Sequence, residues 1–485
     1  MNWIISGFHN KSHFKIIDNL VQKYPVEEIH YFCAKIENKF SKEIKKYYYL
    51  DAPINHYANY EFTEPITPLD SDLICELAFC EITTLKMMDR LESLPEFLNH
   101  EYRKMIYLKH LRYWNHIFKT KRIDLIIFDN IPHQIYDYIV FCLSKKYDVK
   151  SIILVQTILP DCVLHVDDIE EQSIDLKNKY KELQIKYKEL DEQEIILLPK
   201  YNEYLNHQTD KIKDKTPFYI TQQKKKEPII KRLIRISKSI LNGSIKLNPF
   251  WISKMLRITR ENSRFLSYYD KKTSEPDFDE PYVYIALHYQ PEMTTCPCAG
   301  PFVDQINIVH MIAYNLPPNV KLYVKEHPLQ RNIGRLTEFY DELLKIPNVK
   351  LISRSVSTFK LIDHSIFVVT ATGTVGWEAL FYSKPVLIFG GTFYQYMKGV
   401  FKIKKSEECS KIIQKILNKE VELATLKDIK IYLKAIEEIE INGYIDNVYK
   451  TISHLTEEEN LINLTSAIDN LINSFHISSL DQLKM

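Results

Sequence analysis

Short β-branched apolar runs recur through residues 1–165, separated by longer stretches whose apolar positions fall at helical spacing. The pattern predicts strands at Trp3 to Ser6, Ile29 to Cys33, Leu125 to Phe128 and Ser151 to Val155. Helices are expected over Asp70 to Leu94, with Asp70 and Asp72 as candidate caps, and over Tyr102 to Phe118. From Asp167 to Pro276 the chain becomes charge-rich with few β-branched runs, and the pentad Lys-Tyr-Lys-Glu-Leu occurs at Lys179 to Leu183 and again at Lys186 to Leu190. That seven-residue offset predicts a long helix or coiled-coil-like arm. Strand signals resume at Tyr282 to Leu287, Lys321 to Lys325, Val349 to Ile352, Ile366 to Val369 and Val386 to Phe389, and after Ser406 the sequence reads as helical to its end.

Alternating strands and helices of this kind build a parallel sheet covered by helices. The expected fold class is therefore α/β, with two Rossmann-like domains facing a cleft and a helical insertion between them. The boundaries read as 1–166 for the first domain, 167–276 for the insertion, 277–405 for the second domain and 406–485 for C-terminal helices. A chain of 485 residues is long enough for two or three hydrophobic cores.

Charge narrows the function classes. With 64 basic and 63 acidic side chains the net charge is +1, so no global field recruits nucleic acid or an anionic membrane, and no nucleic-acid partner is expected. The basic amphipathic run from Lys224 to Arg235 reads either as a solvated helix face or as a peripheral contact with the inner membrane. No apolar run is long enough to span a bilayer and the N-terminus lacks a signal-peptide pattern, so the expected location is the cytoplasm, at most peripheral at the membrane face. The eight cysteines are scattered, which fits reduced thiols; Cys296-Pro-Cys298 is the one close pair and lacks further ligands at metal spacing.

Candidate chemistry lies where polar residues follow an apolar strand, because ligands of open α/β sheets bind at the carboxyl ends of the strands. Tyr282 to Leu287 runs into His288, Gln290, Glu292, Thr294 and Thr295, a loop able to bind phosphate; Asp304 and Gln305 follow near a helix start, Asp304 as a candidate cap. Lys321 to Lys325 ends in Glu326, His327 and Pro328: proline fixes the backbone after the imidazole, and Lys325 offers positive charge to a departing phosphate. Phe367 to Thr370 leads through Thr372, Gly373 and Thr374 into a helix carrying Gly376 and Glu378. There the small residues would let a ligand approach the backbone and Glu378 would accept hydrogen bonds from a ribose; a tight turn with a capping threonine is the structural alternative. In the first half, Leu125 to Phe128 ends in Asp129, Asn130 and His133, with Asp129 placed either to deprotonate an acceptor hydroxyl or to cap the next helix. His9, His13, Asp161 and His165 occupy equivalent loops.

The set Lys325-Glu-His-Pro, Thr372-Gly-Thr-Val-Gly-Trp-Glu-Ala and Lys384-Pro-Val-Leu-Ile-Phe-Gly resembles the capsule polysaccharide biosynthesis family, which includes capsule Kdo transferases and is similar to bacterial sialyltransferases and glycerophosphotransferases of GT-B fold. The resemblance covers mainly Tyr282 to Tyr394. It implies an inverting, metal-independent glycosyltransferase that moves a sugar from a nucleotide-activated donor, with CMP-linked donors among the candidates, to a surface polysaccharide or glycolipid acceptor. No cofactor is implied. On that reading His327, Pro328, Thr372, Thr374 and Glu378 contact the donor, joined by His288, Gln290, Lys325, Glu326 and Gly373. Asp129, His327 and Glu292 are the catalytic candidates, although His288-Tyr-Gln-Pro-Glu departs from the family's usual loop. A non-hydrolysing nucleotide-sugar 2-epimerase and a non-catalytic capsule assembly or export factor are the rival readings.

Overall fold

The computed structural model describes residues 1–34, 39–62, 64–91, 95–210 and 249–482. Two sheets organise it. The first holds β1 (Asn2–Ser6), β2 (Glu28–Cys33), β3 (Lys45–Leu50), β4 (Leu125–Phe128), β5 (Ser151–Gln156), β6 (Cys162–Val166) and β13 (Ile441–Asn442), in the order β13-β6-β5-β4-β1-β2-β3. The second holds β7 (Tyr282–Ala286), β8 (Lys321–Lys325), β9 (Val349–Ile352), β10 (Val368–Thr370), β11 (Val386–Ile388) and β12 (Val400–Lys402), in the order β12-β11-β10-β7-β8-β9. Every pair in the second sheet is parallel, as are the pairs joining β3, β2, β1, β4 and β5 in the first.

Both sheets are covered on two faces, which is why their inner strands read as unbroken apolar runs. Helix Lys11–Lys23 turns Phe14, Ile16, Ile17, Leu20 and Val21 onto one face of the first sheet, where Leu464 and Ile468 of helix Glu457–Gln482 join the same core. Helices His100–Thr120 and Ile135–Lys146 cover the opposite face. In each sheet the chain fills the strands on one side of its first strand and then crosses to the other side. That reversal leaves a crevice at the carboxyl ends of β1 and β4, and a second at those of β7 and β10.

The expected helix Asp70 to Leu94 is two helices, Ser71–Glu76 and Ala78–Met87, broken at Leu77; Asp70 does cap it, accepting from the Leu73 N–H at 2.9 Å. Three expectations change more. The described parts of the 167–276 segment, expected as a helical insertion between the domains, are packed into the cores. Its helix Ile174–Lys186 buries Leu176, Tyr180 and Leu183, with the Tyr180 ring 4.8 Å from that of Tyr432, and its helix Pro199–Thr209 brings the Tyr204 hydroxyl to 2.9 Å from Trp377 Nε1. Helix Pro249–Lys272 places Phe265 and Tyr269 in the core of the second sheet. The tandem pentads form no arm either, because the helix ends at Lys186 and the second copy leaves it. The C-terminal region is not wholly helical: β13 pairs antiparallel with β6, and helix Glu457–Gln482 packs on helix Lys11–Lys23, so the chain ends on the first domain. The basic run Lys224 to Arg235 lies outside the described residues.

The domains meet through named contacts. Lys86 pairs with Asp304 at 3.0 Å, so Asp304 is an ion-pair partner and Gln305 takes the helix-start position. Arg90 Nη2 donates to the Cys296 carbonyl at 2.8 Å. Cys296 and Cys298 are buried free thiols, each pushed up to about 12 by burial, and serve as packing. Among the described residues, no helix is long and apolar enough to cross a membrane and no cluster of three or more His, Cys, Asp or Glu is arranged to hold a metal ion.

Candidate functional site

At the crevice of the second sheet lies a cleft of about 650 Å³, lined by residues following β7, β8 and β10: His288, Tyr289, Glu292, Thr294, His327, Arg331 and the turn Thr372–Thr374 among them. His288 is fixed by three contacts. Gln305 Oε1 accepts from its backbone N–H at 2.7 Å, its Nε2 accepts from the Thr372 N–H at 3.2 Å, and the same nitrogen lies 2.8 Å from Thr370 Oγ1. Because the Thr372 N–H donates to Nε2, that nitrogen is an acceptor, so the Thr370 hydroxyl, which itself accepts from the Gly373 N–H at 3.1 Å, donates to it, and the His288 proton sits on Nδ1. Burial, with His327 and Arg335 adding to it, lowers this imidazole to about 3, so it is neutral at pH 7.

His327 has the opposite tautomer. The Leu329 N–H donates to its Nδ1 at 3.2 Å, which leaves Nε2–H as the free donor of a neutral ring. Burial first, then the charges of Arg335 and Lys325, lower it to about 4. We expect the His327 ring to stay neutral, protonated on Nε2, from pH 6 to 8. Nitrogen-15 imidazole shifts, assigned by the signal lost in His327→Gln, would test this; a titration near the ordinary histidine value would contradict the burial argument.

The residues behind His327 do not line the cleft. Lys325 donates from Nζ to the Val356 carbonyl at 2.6 Å and to Thr358 Oγ1 at 2.9 Å, away from the site. Glu326 is fully buried: it pairs with Arg335, accepts from Tyr340 Oη at 2.6 Å and accepts from the His327 N–H. Gln290 belongs to the same buried group, its Oε1 accepting from Arg335 Nη2 at 3.1 Å. Pro328 is exposed beside the cleft. Alternation along β8 and the turn after it sends successive side chains in different directions, so Lys325, Glu326 and Pro328 shape the site without facing it, and Gln290, in the loop after β7, is turned inward by Arg335.

The Thr372–Thr374 turn lines the cleft, but its small residues serve the protein. A Cβ on Gly373 would sit 2.8 Å from Thr370 Oγ1 and 3.0 Å from His288 Nε2; one on Gly376 would sit 2.4 Å from the Tyr394 hydroxyl. Packing against these side chains therefore requires glycine there, not the approach of a ligand. The Thr372 hydroxyl donates to the Thr294 carbonyl, and Thr374 Oγ1 donates to Glu378 Oε1 at 3.2 Å, which places half-buried Glu378 one turn behind the rim. Glu292, an exposed residue, lines the cleft. Burial of its carboxyl raises its pKa, opposed by the Thr294 hydroxyl and by Arg90. Arg331, an exposed cation in the lining, was missed from sequence; its place four residues after His327, in the same strand-end loop, was the available signal.

At the crevice of the first sheet a pocket of about 210 Å³ is lined by His9, Asn10, His13, Asp129, Asn130, Gln156 and residues 445–447. Asp129 does not cap a helix: Gln134 stands at the start of helix Ile135–Lys146, and Asp129 Oδ2 accepts from the Phe8 N–H at 2.7 Å. Gly7, with φ of 92°, leaves room for that carboxylate, since a Cβ there would lie 1.9 Å from it. Burial raises the Asp129 pKa, with the Phe8 hydrogen bond and His9 pulling it down. His133 turns away, its Nδ1 at 2.6 Å from the Ile131 carbonyl, and Asp161 holds the C-terminal segment through the His454 N–H at 3.1 Å. His165 is half-buried, with both ring nitrogens buried and neither hydrogen-bonded. An apolar space of about 140 Å³ shares Gln156 with this pocket and Thr294, Thr372 and Thr374 with the larger cleft.

Residues 289–436, less than half of the chain, match the family model described as capsule polysaccharide biosynthesis protein; the matched span includes His327, Thr372–Thr374 and Glu378. No curated protein matches the chain. Among solved structures, the β-Kdo 2,7 transferase of KpsC from Thermosulfurimonas dismutans is similar at 11% identity, over 75% of this chain and 95% of that one, with a TM-score of 0.30. The β-Kdo 2,4 transferase of the same protein is similar at 10% identity, over 64% and 80%, with a TM-score of 0.29. A UDP-GlcNAc 2-epimerase from Methanocaldococcus jannaschii is similar at 11% identity, over 90% and 99%, with a TM-score of 0.27.

Proposed function

With residues 289–436 matching the capsule polysaccharide biosynthesis family, we propose that the chain is a glycosyltransferase acting in capsule or surface-polysaccharide assembly. It takes a sugar from a nucleotide-activated donor held in the larger cleft and passes it to a polysaccharide or glycolipid acceptor held at the first sheet. The observation that carries this reading is the His327 ring, neutral and fixed with Nε2–H as its donor, at a crevice whose lining also includes Arg331 and the Thr372–Thr374 turn.

The chemistry follows from where charge grows. Asp129 takes the proton of the acceptor hydroxyl as its oxygen bonds to the anomeric carbon. The bond from that carbon to the donor phosphate breaks, its electron pair goes to the phosphate oxygen, and the sugar inverts. His327 Nε2–H and Arg331 stabilise the negative charge on the leaving phosphate. No step calls on a metal ion. The epimerase reading asks for several carboxylates facing the donor, whereas Glu292 is the carboxylate among the cleft's lining residues.

Thermal shifts with CMP, CDP, UDP, GDP and dTDP test the donor site. One nucleotide at about 100 times its dissociation constant should stabilise the protein by about 2.7 kcal/mol, and His327→Ala should lose that response. If none stabilises the wild type at millimolar concentration, the transferase reading fails and a binding or assembly role takes its place.

A further inference from the structure

The two crevices differ in charge, and the difference selects the acceptor. The larger cleft has Arg331 and two neutral imidazoles in its lining, suited to a phosphate. Among the described residues no lysine or arginine lines the smaller pocket; its two carboxylates, Asp129 and Asp446, are set among His9, His13, Asn10, Asn130 and Asn447. Building on the glycosyltransferase reading, we propose that this pocket holds one uncharged, hydroxyl-rich sugar ring of the acceptor and rejects an anionic one.

The pocket is a built cavity between three parts of the chain. Its floor is the carboxyl end of β1 and β4, where Asp129 rests on the Phe8 N–H. Its outer wall comes from the C-terminal segment, which Gln156 pins to β5: Gln156 Oε1 accepts from the Ile445 N–H at 3.0 Å while Nε2 donates to the Cys162 carbonyl at 3.2 Å. Asp446 caps the short turn beyond, accepting from the Val448 N–H at 2.9 Å. Helix Lys11–Lys23 also starts here, but Asn10 Oδ1 already accepts from the His13 N–H at 2.7 Å and so fills the cap that an anion would take. Asn10 Nδ2 donates to His13 Nδ1 at 3.0 Å, and burial lowers His13 to about 4, so that ring adds no positive charge. The nearby cation Lys450 is paired with Glu457.

Amides and carboxylates together offer both donors and acceptors, which a sugar hydroxyl can answer because it does both. A carboxylate or phosphate on the ring would instead face Asp129 and Asp446 with no lysine or arginine in the lining to pair with it. The two aspartates are therefore the selective elements.

Ligand-observed saturation-transfer NMR on the full chain tests this, with methyl β-glucoside, methyl β-galactoside and methyl β-N-acetylglucosaminide against the anionic methyl β-glucuronide and the cationic methyl β-glucosaminide. At least one neutral glycoside should bind, and the glucuronide should bind at least about 10-fold more weakly. Asp129→Asn, which removes charge at constant shape, should narrow that gap. The inference is overturned if the glucuronide binds equally well, if no glycoside binds, if the cationic methyl glucosaminide is preferred, or if Asp129→Asn leaves the gap unchanged. A retained nucleotide response alongside any of those results sinks only the acceptor inference, because a failure of the transferase reading shows in the nucleotide screen.

Discussion

Asp129→Asn should lower kcat for sugar transfer by about 10²–10⁴-fold, the range contributed by a positioned general base, while nucleotide binding stays intact because the donor cleft belongs to the other sheet. The substitution keeps the shape of the side chain and an oxygen able to accept from the Phe8 N–H, so the fold is retained. The pH profile adds a second readout. Burial raises the Asp129 pKa, and the base works only when ionised, so the rate should climb with pH through that raised pKa and fall as acid protonates the carboxyl. Initial rates with a radiolabelled nucleotide sugar would show this acid limb in the wild type and its loss in the variant's residual activity. Unchanged kcat would remove Asp129 from the chemistry and pass the role to Glu292, the carboxylate lining the donor cleft.

Glu326→Gln is expected to destabilise the second domain by roughly 3–5 kcal/mol, the cost of leaving one buried charge without its partner. The Glu326 and Arg335 side chains are 0% and 1% exposed. Arg335 Nη2 also donates to the His288 carbonyl at 3.0 Å and to Gln290 Oε1 at 3.1 Å, while Tyr340 and the His327 N–H converge on Glu326. The pair therefore ties the end of β7 to the end of β8 and sets where both site histidines stand. Chemical denaturation should show the lost stability, and the nucleotide response should weaken at temperatures where the variant is still folded. The double variant Glu326→Leu with Arg335→Met, which removes both charges, should regain much of the stability without regaining nucleotide binding. A loss below about 1 kcal/mol in Glu326→Gln would mean that the network is not holding the strand ends.

How much of this was legible beforehand depended on what made each element stable. Leu125–Phe128 begins and ends with its apolar run, because a parallel strand buried on both faces must be apolar along its length. The strand Lys45–Leu50 escaped notice because it lies at the sheet edge, where Lys45 and Lys46 are exposed. Cys162–Val166 forms a hairpin with the preceding strand Ser151–Gln156, whereas the two-residue strand Ile441–Asn442 exists through antiparallel pairing with a segment distant in the chain, which no local pattern records.

The sequence by itself determined the two α/β halves, the carboxyl-end loops that carry polar residues, and the positions of Asp129, His327 and the Thr372–Thr374 turn within them. Hydrophobic period and strand-end composition are local properties, and local properties can be read along a chain. Only the tertiary structure decided which of those polar side chains face a crevice. Lys325 and Glu326 turn to the Val356–Thr358 loop and to Arg335, Gly373 and Gly376 make room for protein side chains, and the returning C-terminal segment walls the smaller pocket. Direction at a strand end is set by what packs on each side of the sheet, and those neighbours come from remote parts of the chain.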